Sequence, residues 1–364
     1  MKDRIESLVL GNGKPGARLG REEAVYMLGC DDLLWLGALA DAVRSSLHSG
    51  RDVTYVIDRN INYTNICVSG CRFCAFYRSE GDDDAYLLTQ EQIGAKIDEA
   101  KSLGAVSILL QGGLHPGLTI DYFESLFRRI VEKHTIHLHA LSPPEIVHIA
   151  ERSGLGIPEV IARLKAAGLG SIPGGGAEIL ADGVRGRLSP HKCTSEEWIG
   201  VMREAHRQGL RSSATMMFGS LETLEDRADH LLCIRELQDE TGGFTAFIPW
   251  TFQSANTGLS SEVPPAGNQG AVDYLRMLAA ARLVLDNVPN LQASWVTQGA
   301  KVAQVALRFG ANDFGSTMIE ENVVAAAGVT YRISEEEIRR HIADAGFVPR
   351  LRDAVYSRFW DQIP

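Results

Sequence analysis

Residues 60–78 read NINYTNICVSGCRFCAFYR, and this stretch decides how the rest of the sequence is interpreted. Within it, Cys67, Cys71 and Cys74 form the pattern C-x3-C-x2-C. Cysteine thiolates ligate iron–sulfur clusters, and a [4Fe–4S] cluster has four irons to coordinate. Because no fourth cysteine lies near these three, one iron would stay open to another ligand. The alternative is a zinc site in which a distant residue supplies the fourth ligand.

Composition and charge exclude several other classes of protein. The chain has 364 residues, of which 45% are hydrophobic, and a net charge of −10. Nucleic-acid binding is disfavoured because phosphate contacts need clustered lysine and arginine. We expect no membrane span, since no run approaches about 18 apolar residues. We also expect no signal peptide, since the N-terminus lacks an apolar core.

The remaining cysteines, Cys30, Cys193 and Cys233, are scattered along the chain. A chain of this length does not need a disulfide scaffold, which is typical of short secreted domains. We therefore interpret these three as small core residues. Unpaired thiols and thiolate-bound iron both fit a reducing cytoplasm, which is the expected location.

Outward from the cysteine stretch, apolar strand-like runs alternate with helical segments. TYVIDRNINYT leads into the cysteines, and AVSILLQGG, IHLHALS, GSIPGGG, RSSATMMFG and FTAFIPWTF follow them. This alternation predicts an α/β fold with a parallel sheet covered by helices. Right-handed crossovers would curl the sheet into a partial or full (β/α) TIM-type barrel. A helix over residues 270–287 and a strand-like run, LQASWVTQG, are predicted next.

We divide the chain into three regions of a single structural domain. Residues 1–50 are predicted to form an N-terminal helical extension, and residues 51–300 the barrel core. Residues 301–364 are predicted to be an α-rich C-terminal region packed on the barrel. No linker or low-complexity stretch separates the three.

Small and polar residues follow the second and third predicted strands, at the end where barrels carry their active sites. Gly112 and Gly113 lack a Cβ, so their backbone could approach a ligand closely, although a plain tight turn is the alternative. His137 and His139 alternate with apolar residues and are expected to point into the barrel. We favour His139 and Ser142 as polar contacts to a ligand over a metal-binding histidine pair.

Later segments supply further candidates. Glu178 closes the glycine run GSIPGGGAE and could accept hydrogen bonds from ligand hydroxyls, whereas a solvent-facing loop carboxylate is the alternative. Trp250 and Gln253 end the sixth predicted strand, where Trp250 could stack on a substrate or pack in the core. Asn312 and Asp313 lie in the glycine-rich segment GANDFGSTMIEE.

These motifs together resemble a known family over about residues 55–328. INYTNIC, CRFCAFYR, LLQGGLHP, HALSPPEI, SIPGGGAEIL, FIPWTFQ and NDFGSTMIEENVV resemble radical S-adenosylmethionine (SAM) enzymes of the futalosine branch of menaquinone biosynthesis. This branch includes aminodeoxyfutalosine synthase and is similar to the FO synthases, which form a deazaflavin. CAFYR and HALSPPEI resemble the ring-closing members of the branch most. Ser254 departs from the pattern, which has proline there.

The resemblance implies two cofactors, a [4Fe–4S] cluster and SAM. Cys67, Cys71 and Cys74 would bind the cluster, whose open iron would chelate the methionine part of SAM. Further SAM contacts would come from Phe73, Gly112, Gly113, His139, Ser142 and Glu178. An electron donor such as flavodoxin or ferredoxin would reduce the cluster.

The resemblance also implies a radical ring closure on a small-molecule substrate, dehypoxanthine futalosine. A 5′-deoxyadenosyl radical would remove the C4′ hydrogen, and the substrate radical would add to the benzoate ring. Loss of an electron and a proton would complete the product, with Glu178 or Asp313 as the catalytic base. Substrate contacts would come from Tyr77, Trp250, Gln253 and Asn312.

Two alternatives of different kinds stay open. The first is a sibling enzyme, similar to aminodeoxyfutalosine synthase or FO synthase, that joins a radical to its substrate instead of closing a ring. The second is a non-catalytic iron–sulfur or zinc protein.

Overall fold

The computed structural model describes residues 1–11, 17–48, 50–263 and 270–361. Within these ranges the helices are α1 (Lys2–Val9), α2 (Arg21–Leu28), α3 (Leu33–Leu47), α4 (Gln90–Ser102), α5 (Ile120–Lys133), α6 (Pro143–Ser153), α7 (Ile157–Ala167), α8 (Asp182–Leu188), α9 (Ser195–Arg207), α10 (Leu224–Thr241), α11 (Ala271–Val284), α12 (Trp295–Gln298), α13 (Ala300–Ala306), α14 (Val323–Ala326) and α15 (Glu335–Asp344). The strands are β1 (Asp52–Val56), β2 (Asp58–Asn62), β3 (Ser107–Gln111), β4 (His137–Ala140), β5 (Ser171–Ile172), β6 (Arg211–Phe218), β7 (Phe244–Thr251), β8 (Asn290–Leu291), β9 (Asp313–Ser316), β10 (Val348–Arg352) and β11 (Phe359–Trp360).

Strands β2 to β8 form one parallel sheet in the order of the sequence. Each strand returns to the sheet through at least one helix, as parallel neighbours require. Across the first strands the register aligns Asn60 with Leu109, Leu109 with His139, and His139 with Ser171. The predicted parallel α/β barrel architecture is confirmed.

Helix α5 shows why the helices cover the outside of the sheet. Phe123, Leu126, Phe127 and Ile130 recur at three- and four-residue spacing, and all four are buried. This spacing places them on one stripe of the helix, which packs against the sheet while the opposite face meets water. Among the residues that the structure describes, no helix is both long and apolar enough to cross a membrane.

Strand β9 lies across the gap between the two edges of the seven-stranded sheet. Ala293 N, just after β8, donates to Asp313 O (2.9 Å), and Thr317 N donates to Val56 O (3.0 Å). Ile319 N continues this edge by donating to the carbonyl of the first residue of β2 (3.1 Å). The C-terminal region therefore contributes helices and, in addition, strands β9 to β11 that were not predicted; β1 pairs with both β9 and β10.

Two strand predictions are corrected in detail. TYVIDRNINYT is two strands, because the chain leaves the β9–β10 side at Ile57 and joins β3 from residue 58 onward. LQASWVTQG is strand at Leu291 but helix from Trp295, whose indole Nε1 donates to Ser316 O (2.8 Å). Burying that large side chain with its N–H satisfied favours the helical turn over a continued strand.

Candidate active site

A cavity of about 410 Å3 opens at the carboxyl ends of the barrel strands and continues into the barrel interior. All parallel strands end at the same face, so the loops that follow them meet there. Of the residues predicted from the sequence, those that line it are Cys67, Cys71, Phe73, Cys74, Tyr77, Gly112, Gly113, His139, Ser142, Glu178 and Trp250. The structure therefore brings most of the predicted site together, while the role of each residue stays a prediction.

The three cysteines lie on a loop after β2 that backbone hydrogen bonds fix at both ends. Cys67 N donates to Arg78 O (3.0 Å), and Arg78 N donates to Asn65 O (2.8 Å), so entry and exit run side by side. Val68 N donates to Leu114 O (3.0 Å) in the loop after β3. The thiols are therefore presented to the cavity from a well-anchored backbone.

Burial favours the protonated form of two of these thiols, Cys67 and Cys74. Burial raises the pKa of Cys67 and raises the pKa of Cys74 to about 11. Cys71 is 5% exposed, and its sulfur lies 3.1 Å from Ser69 Oγ. Iron would displace the thiol protons on binding, because metals bind the deprotonated form. Three thiols at one cavity wall, none of them in a disulfide, fit the donor set of a cluster.

The side chains of the described residues, the three cysteines included, do not surround a single metal position. A zinc site needs its ligands gathered around one ion at about 2.0–2.3 Å. In the described part of the chain, no group of three or more histidine, cysteine, aspartate or glutamate side chains could hold one metal ion.

Gly112 and Gly113 lie against the base of the cysteine loop. A Cβ on Gly112 would lie 2.7 Å from the Tyr63 ring, and one on Gly113 would lie 2.2 Å from Ile66 O. Gly113 N also donates to Thr64 O (3.0 Å). Glycine is therefore needed for the close approach of these two segments, and their peptide groups form part of the cavity wall.

Glu145 is a site residue that the sequence reasoning did not include. Its carboxylate accepts hydrogen bonds from Gly112 N (3.0 Å), Tyr63 OH (2.8 Å), Ser142 N (2.7 Å) and Ser142 Oγ (2.6 Å). Burial raises the pKa of Glu145, and these hydrogen bonds oppose the rise. One carboxylate thus ties the glycine pair to the start of α6. The capping-box spacing Ser142-x-x-Glu145 is the sequence signal that could have identified it.

Glu178 lies at the cavity wall in an ion pair with Lys192, which the sequence reasoning also missed. Glu178 Oε1 is 2.6 Å from Lys192 Nζ, and the two side chains are 6% and 12% exposed. Burial alone would lower the pKa of Lys192, but Glu178 and Cys71 raise it, so the ammonium is retained. The ammonium also lies 5.1 Å from the centre of the Phe73 ring. Glu178 is therefore a buried, paired carboxylate rather than a solvent-facing one.

The backbone at Glu178 carries a second unusual feature. Its φ is 44°, in the left-handed region that non-glycine residues seldom adopt. Such conformations cluster at ligand-binding and catalytic sites. Here the turn aims the carboxylate at the cavity.

We expect a Glu178→Gln substitution to lower both stability and turnover. Breaking the pair leaves the buried Lys192 ammonium without its counter-charge, which costs on the order of 3–5 kcal/mol. Loss of a charge-assisted hydrogen bond to a ligand would lower turnover by about ten- to a hundredfold. Thermal unfolding and single-turnover kinetics measure the two effects separately.

The matched control is the double variant Glu178→Gln/Lys192→Met. Removal of both charges is expected to restore most of the free energy of unfolding, because no uncompensated charge stays buried. Turnover is expected to stay low. Wild-type turnover in a stable double variant would contradict a ligand-binding role for Glu178.

His137 and His139 on β4 share one hydrogen-bond partner. His137 Nε2 and His139 Nδ1 each lie 2.7 Å from Ser171 Oγ. Burial lowers the pKa of His139 to about 3, so this ring is neutral near pH 7. The shared hydroxyl accounts for the orientation of both rings, and His139 lines the cavity where a ligand could contact it.

Gln253 and Asn312 do not line this cavity. Gln253 folds back on its own strand, where its amide nitrogen donates to Thr251 O and Thr251 Oγ1 (3.1 Å each). Asn312 Oδ1 accepts from Arg282 Nη2 (2.8 Å) and the residue borders a different cavity, at the opposite end of the barrel. Their predicted contacts to substrate are therefore not supported.

Asp313 is fully buried outside the cavity and bound to Arg352. Its two carboxylate oxygens lie 2.5 Å from Arg352 Nε and 3.0 Å from Arg352 Nη2. Thr54 Oγ1 donates to the same carboxylate. Both oxygens are therefore occupied by one guanidinium, and the side chain does not line the cavity in which a substrate could reach it. The structure therefore argues against Asp313 as the base and places it in a salt bridge that links β9 to β10 across β1.

Strand β2 carries a row of polar side chains that the sequence reasoning missed. Asp58, Asn60 and Asn62 alternate with Arg59 and Ile61, and all three line the cavity. Alternate residues of a strand share a face, so the row follows one wall from the barrel interior to the cysteine loop. The alternation within DRNIN is the signal that could have revealed it.

Two protein families and several curated proteins match this sequence. Residues 61–234 match the radical SAM superfamily, and residues 241–363 match the CofH/MqnC C-terminal region. A cyclic dehypoxanthine futalosine synthase of Halalkalibacterium halodurans is 45% identical over 96% of this chain and 94% of its own length. A 5-amino-6-(D-ribitylamino)uracil–L-tyrosine 4-hydroxyphenyl transferase of Archaeoglobus fulgidus is 43% identical over 92% of this chain and 97% of its own length.

The fold has a solved counterpart in methylornithine synthase (PylB). The two structures superpose with a TM-score of 0.72 at 17% sequence identity, over 95% of this chain and 96% of that one. At this identity the likeness concerns the fold alone.

The chain therefore belongs to the radical SAM superfamily and is an enzyme of that class. Within the superfamily it has the CofH/MqnC C-terminal region. Enzymes of the superfamily use SAM together with a [4Fe–4S] cluster, which agrees with the donor set described above.

Proposed function

We propose that this enzyme converts dehypoxanthine futalosine to cyclic dehypoxanthine futalosine in menaquinone biosynthesis. The observation that carries the proposal is the 45% identity, over 96% of the chain, to the cyclic dehypoxanthine futalosine synthase of Halalkalibacterium halodurans. The cavity supports the proposal, because one continuous space runs from the three thiols to Asp58 in the barrel interior. SAM and a second molecule could lie in it end to end.

Cys67, Cys71 and Cys74 would hold the [4Fe–4S] cluster, with Gly112 and Gly113 beside the methionine end of SAM. When bound, the cluster and SAM supply a 5′-deoxyadenosyl radical, which can remove the C4′ hydrogen of the substrate. The part of the protein is to align the two ligands and to exclude water. The cavity walls are largely buried, so they can both align the ligands and exclude water.

Individual side chains would position the ligands. Glu178 would accept hydrogen bonds from the ribose hydroxyls of SAM, while its ion pair with Lys192 (2.6 Å) holds the carboxylate in position. Tyr77 and Trp250 line the cavity and would pack against the substrate. The electron that starts each turnover would come from a small donor protein such as flavodoxin or ferredoxin.

A second function is favoured by one observation. The Archaeoglobus fulgidus relative, named as a 4-hydroxyphenyl transferase acting between L-tyrosine and 5-amino-6-(D-ribitylamino)uracil, is 43% identical over 92% of this chain. The two relatives match nearly the same span at nearly the same identity. Identification of the reaction product is therefore needed to distinguish ring closure from group transfer.

Reduced enzyme with SAM and dehypoxanthine futalosine deuterated at C4′ is expected to place deuterium in 5′-deoxyadenosine. The product should be lighter than the labelled substrate by one deuterium and one hydrogen, because ring closure forms one bond and removes the C4′ deuterium and one ring hydrogen. Mass spectrometry of both molecules measures the outcome.

The control reaction supplies L-tyrosine and 5-amino-6-(D-ribitylamino)uracil to the same enzyme. It is expected to yield no coupled product. A coupled product from this pair, or deuterium that stays in the substrate while SAM is consumed, would contradict the cyclase proposal.

A further inference from the structure

The carboxylates that line the cavity within the described residues are Asp58, Glu145, Glu178 and Glu321. Glu145 accepts four hydrogen bonds, and Glu178 is paired with a lysine. Glu321 accepts from the backbone N–H groups of residues 323–325 (3.1, 2.9 and 3.1 Å). Burial raises the pKa of Glu145 and of Glu321, as it does that of Asp58, so these groups differ in their contacts and not in the direction of the shift. Both oxygens of Glu145 and of Glu321 already accept hydrogen bonds, and Glu178 is held by the Lys192 ammonium.

The carboxylate of Asp58 makes fewer hydrogen bonds than those of Glu145 and Glu321. Ser316 Oγ donates to Asp58 Oδ1, and among the described residues the carboxylate makes no ion pair. The residue is 9% exposed and yet lines the cavity, so Oδ2 is available to a ligand. Burial raises the pKa of Asp58 to about 6, opposed by Ser316 and by Arg352. The guanidinium of Arg352 is itself bound to Asp313 (2.5 Å).

The position of Asp58 fits the far end of the substrate. It is the first residue of β2, and the cysteine loop follows the end of the same strand at Asn62. At about 3.3 Å per residue, Asp58 lies roughly 13 Å deeper in the barrel than Asn62. A substrate with C4′ near SAM would therefore extend its aromatic end toward Asp58.

We infer that Asp58 is the general base that removes the aromatic proton when the new ring is completed. The inference rests on the cyclisation proposed above. A C4′–ring carbon bond forms first, and the attacked ring carbon then loses its hydrogen as a proton to Asp58 Oδ2. The remaining electron passes to a one-electron acceptor of the iron–sulfur class, which restores the aromatic ring. One electron enters and one leaves in each turnover.

An Asp58→Asn variant separates this step from the earlier ones. Asparagine keeps the size of the side chain and can still accept from Ser316 through its amide oxygen, but it cannot take a proton. General-base catalysis contributes about 10²–10⁴-fold, so cyclic product should form at least about a hundredfold more slowly. Deuterium transfer from C4′ to 5′-deoxyadenosine is expected to persist. Rapid-freeze electron paramagnetic resonance should detect a ring-centred substrate radical that the wild type does not accumulate.

Two further variants keep the assignment falsifiable. Asp58→Glu retains a carboxylate and is expected to couple deuterium transfer to cyclisation better than Asp58→Asn does. Asn60→Ser changes the next inward side chain of the same strand and removes no titratable group, so it is expected to slow both steps together without uncoupling them. Iron content and circular dichroism of each variant verify the cluster and the fold.

The outcomes distinguish this inference from the proposed function. Wild-type cyclisation by Asp58→Asn would overturn the assignment alone. Equal loss of deuterium transfer and of cyclisation in a folded, iron-loaded Asp58→Asn would also overturn it, because it would indicate substrate binding instead of proton removal. A wild-type enzyme that forms no cyclic product would overturn the proposed function and this assignment with it.

Discussion

A Cys71→Ala variant is expected to lose its iron–sulfur cluster and all measurable SAM cleavage. Cys71 is the middle ligand of the C-x3-C-x2-C pattern and is 5% exposed at the cavity wall. Its loss would leave two thiolates for a cluster that is held by three, and no other described cysteine lines the cavity. A fall of at least about 1,000-fold corresponds to roughly 4 kcal/mol of lost transition-state stabilisation. Iron and sulfide content, visible absorbance and 5′-deoxyadenosine yield after anaerobic reconstitution measure the effect.

Cys233→Ala is the matched control for this substitution. Cys233 lies on α10, away from the cavity, and burial raises the pKa of its thiol to about 11. An inert, protonated thiol on an outer helix should be dispensable, so iron content and turnover are expected to equal those of the wild type. A Cys71→Ala protein with a full cluster would refute the ligand assignment. Stoichiometric zinc in the purified wild type, in place of iron, would support the zinc alternative.

Residue type and strand position together predict most of the residues that line the cavity. The cysteines, Gly112, Gly113 and Glu178 each follow a strand of a predicted parallel sheet, so a single topological rule gathers them at one face. This prediction needs only the order and direction of the strands, and no distances between residues. Once β2 to β8 are parallel and in sequence order, the loops after their carboxyl ends converge.

The predictions for Asn312 and Asp313 were wrong because these residues lie at the amino end of a strand, whereas the cavity opens at the carboxyl ends. Asp313 begins β9, and Asn312 precedes it, so both lie toward the amino end of that strand. The segment GANDFGSTMIEE contains suitable residue types, but its strand was not predicted, and its polarity could not be assigned. Asp313 consequently neutralises Arg352 in the interior instead of facing the substrate.

Other misses depend on contacts between residues that are distant in the sequence. Glu145 is a helix cap by its local pattern, and its contact with Gly112, 33 residues away, appears only once β3 and β4 are adjacent. Lys192 lies in a polar loop whose burial no pattern indicates. Asp58 was concealed because β1 and β2 were treated as one strand, which hid the break that turns its side chain inward.

A Gly113→Ala variant is expected to lower both cluster occupancy and SAM cleavage, the latter by about a hundredfold, or roughly 3 kcal/mol. The added Cβ would lie 2.2 Å from Ile66 O and 2.7 Å from Ile66 C, which are backbone atoms that no side-chain rotation can move. Since Gly113 N is bound to Thr64 O (3.0 Å), relief of the clash must displace the segment that leads into Cys67. Gly200→Ala in α9 is the control, because its Cβ meets nothing within 4 Å and alanine in a helix stabilises by about 0.5–1 kcal/mol. Iron content and 5′-deoxyadenosine yield of the two variants measure the difference, and equal values would show that the glycine pair does not support the cluster and SAM site.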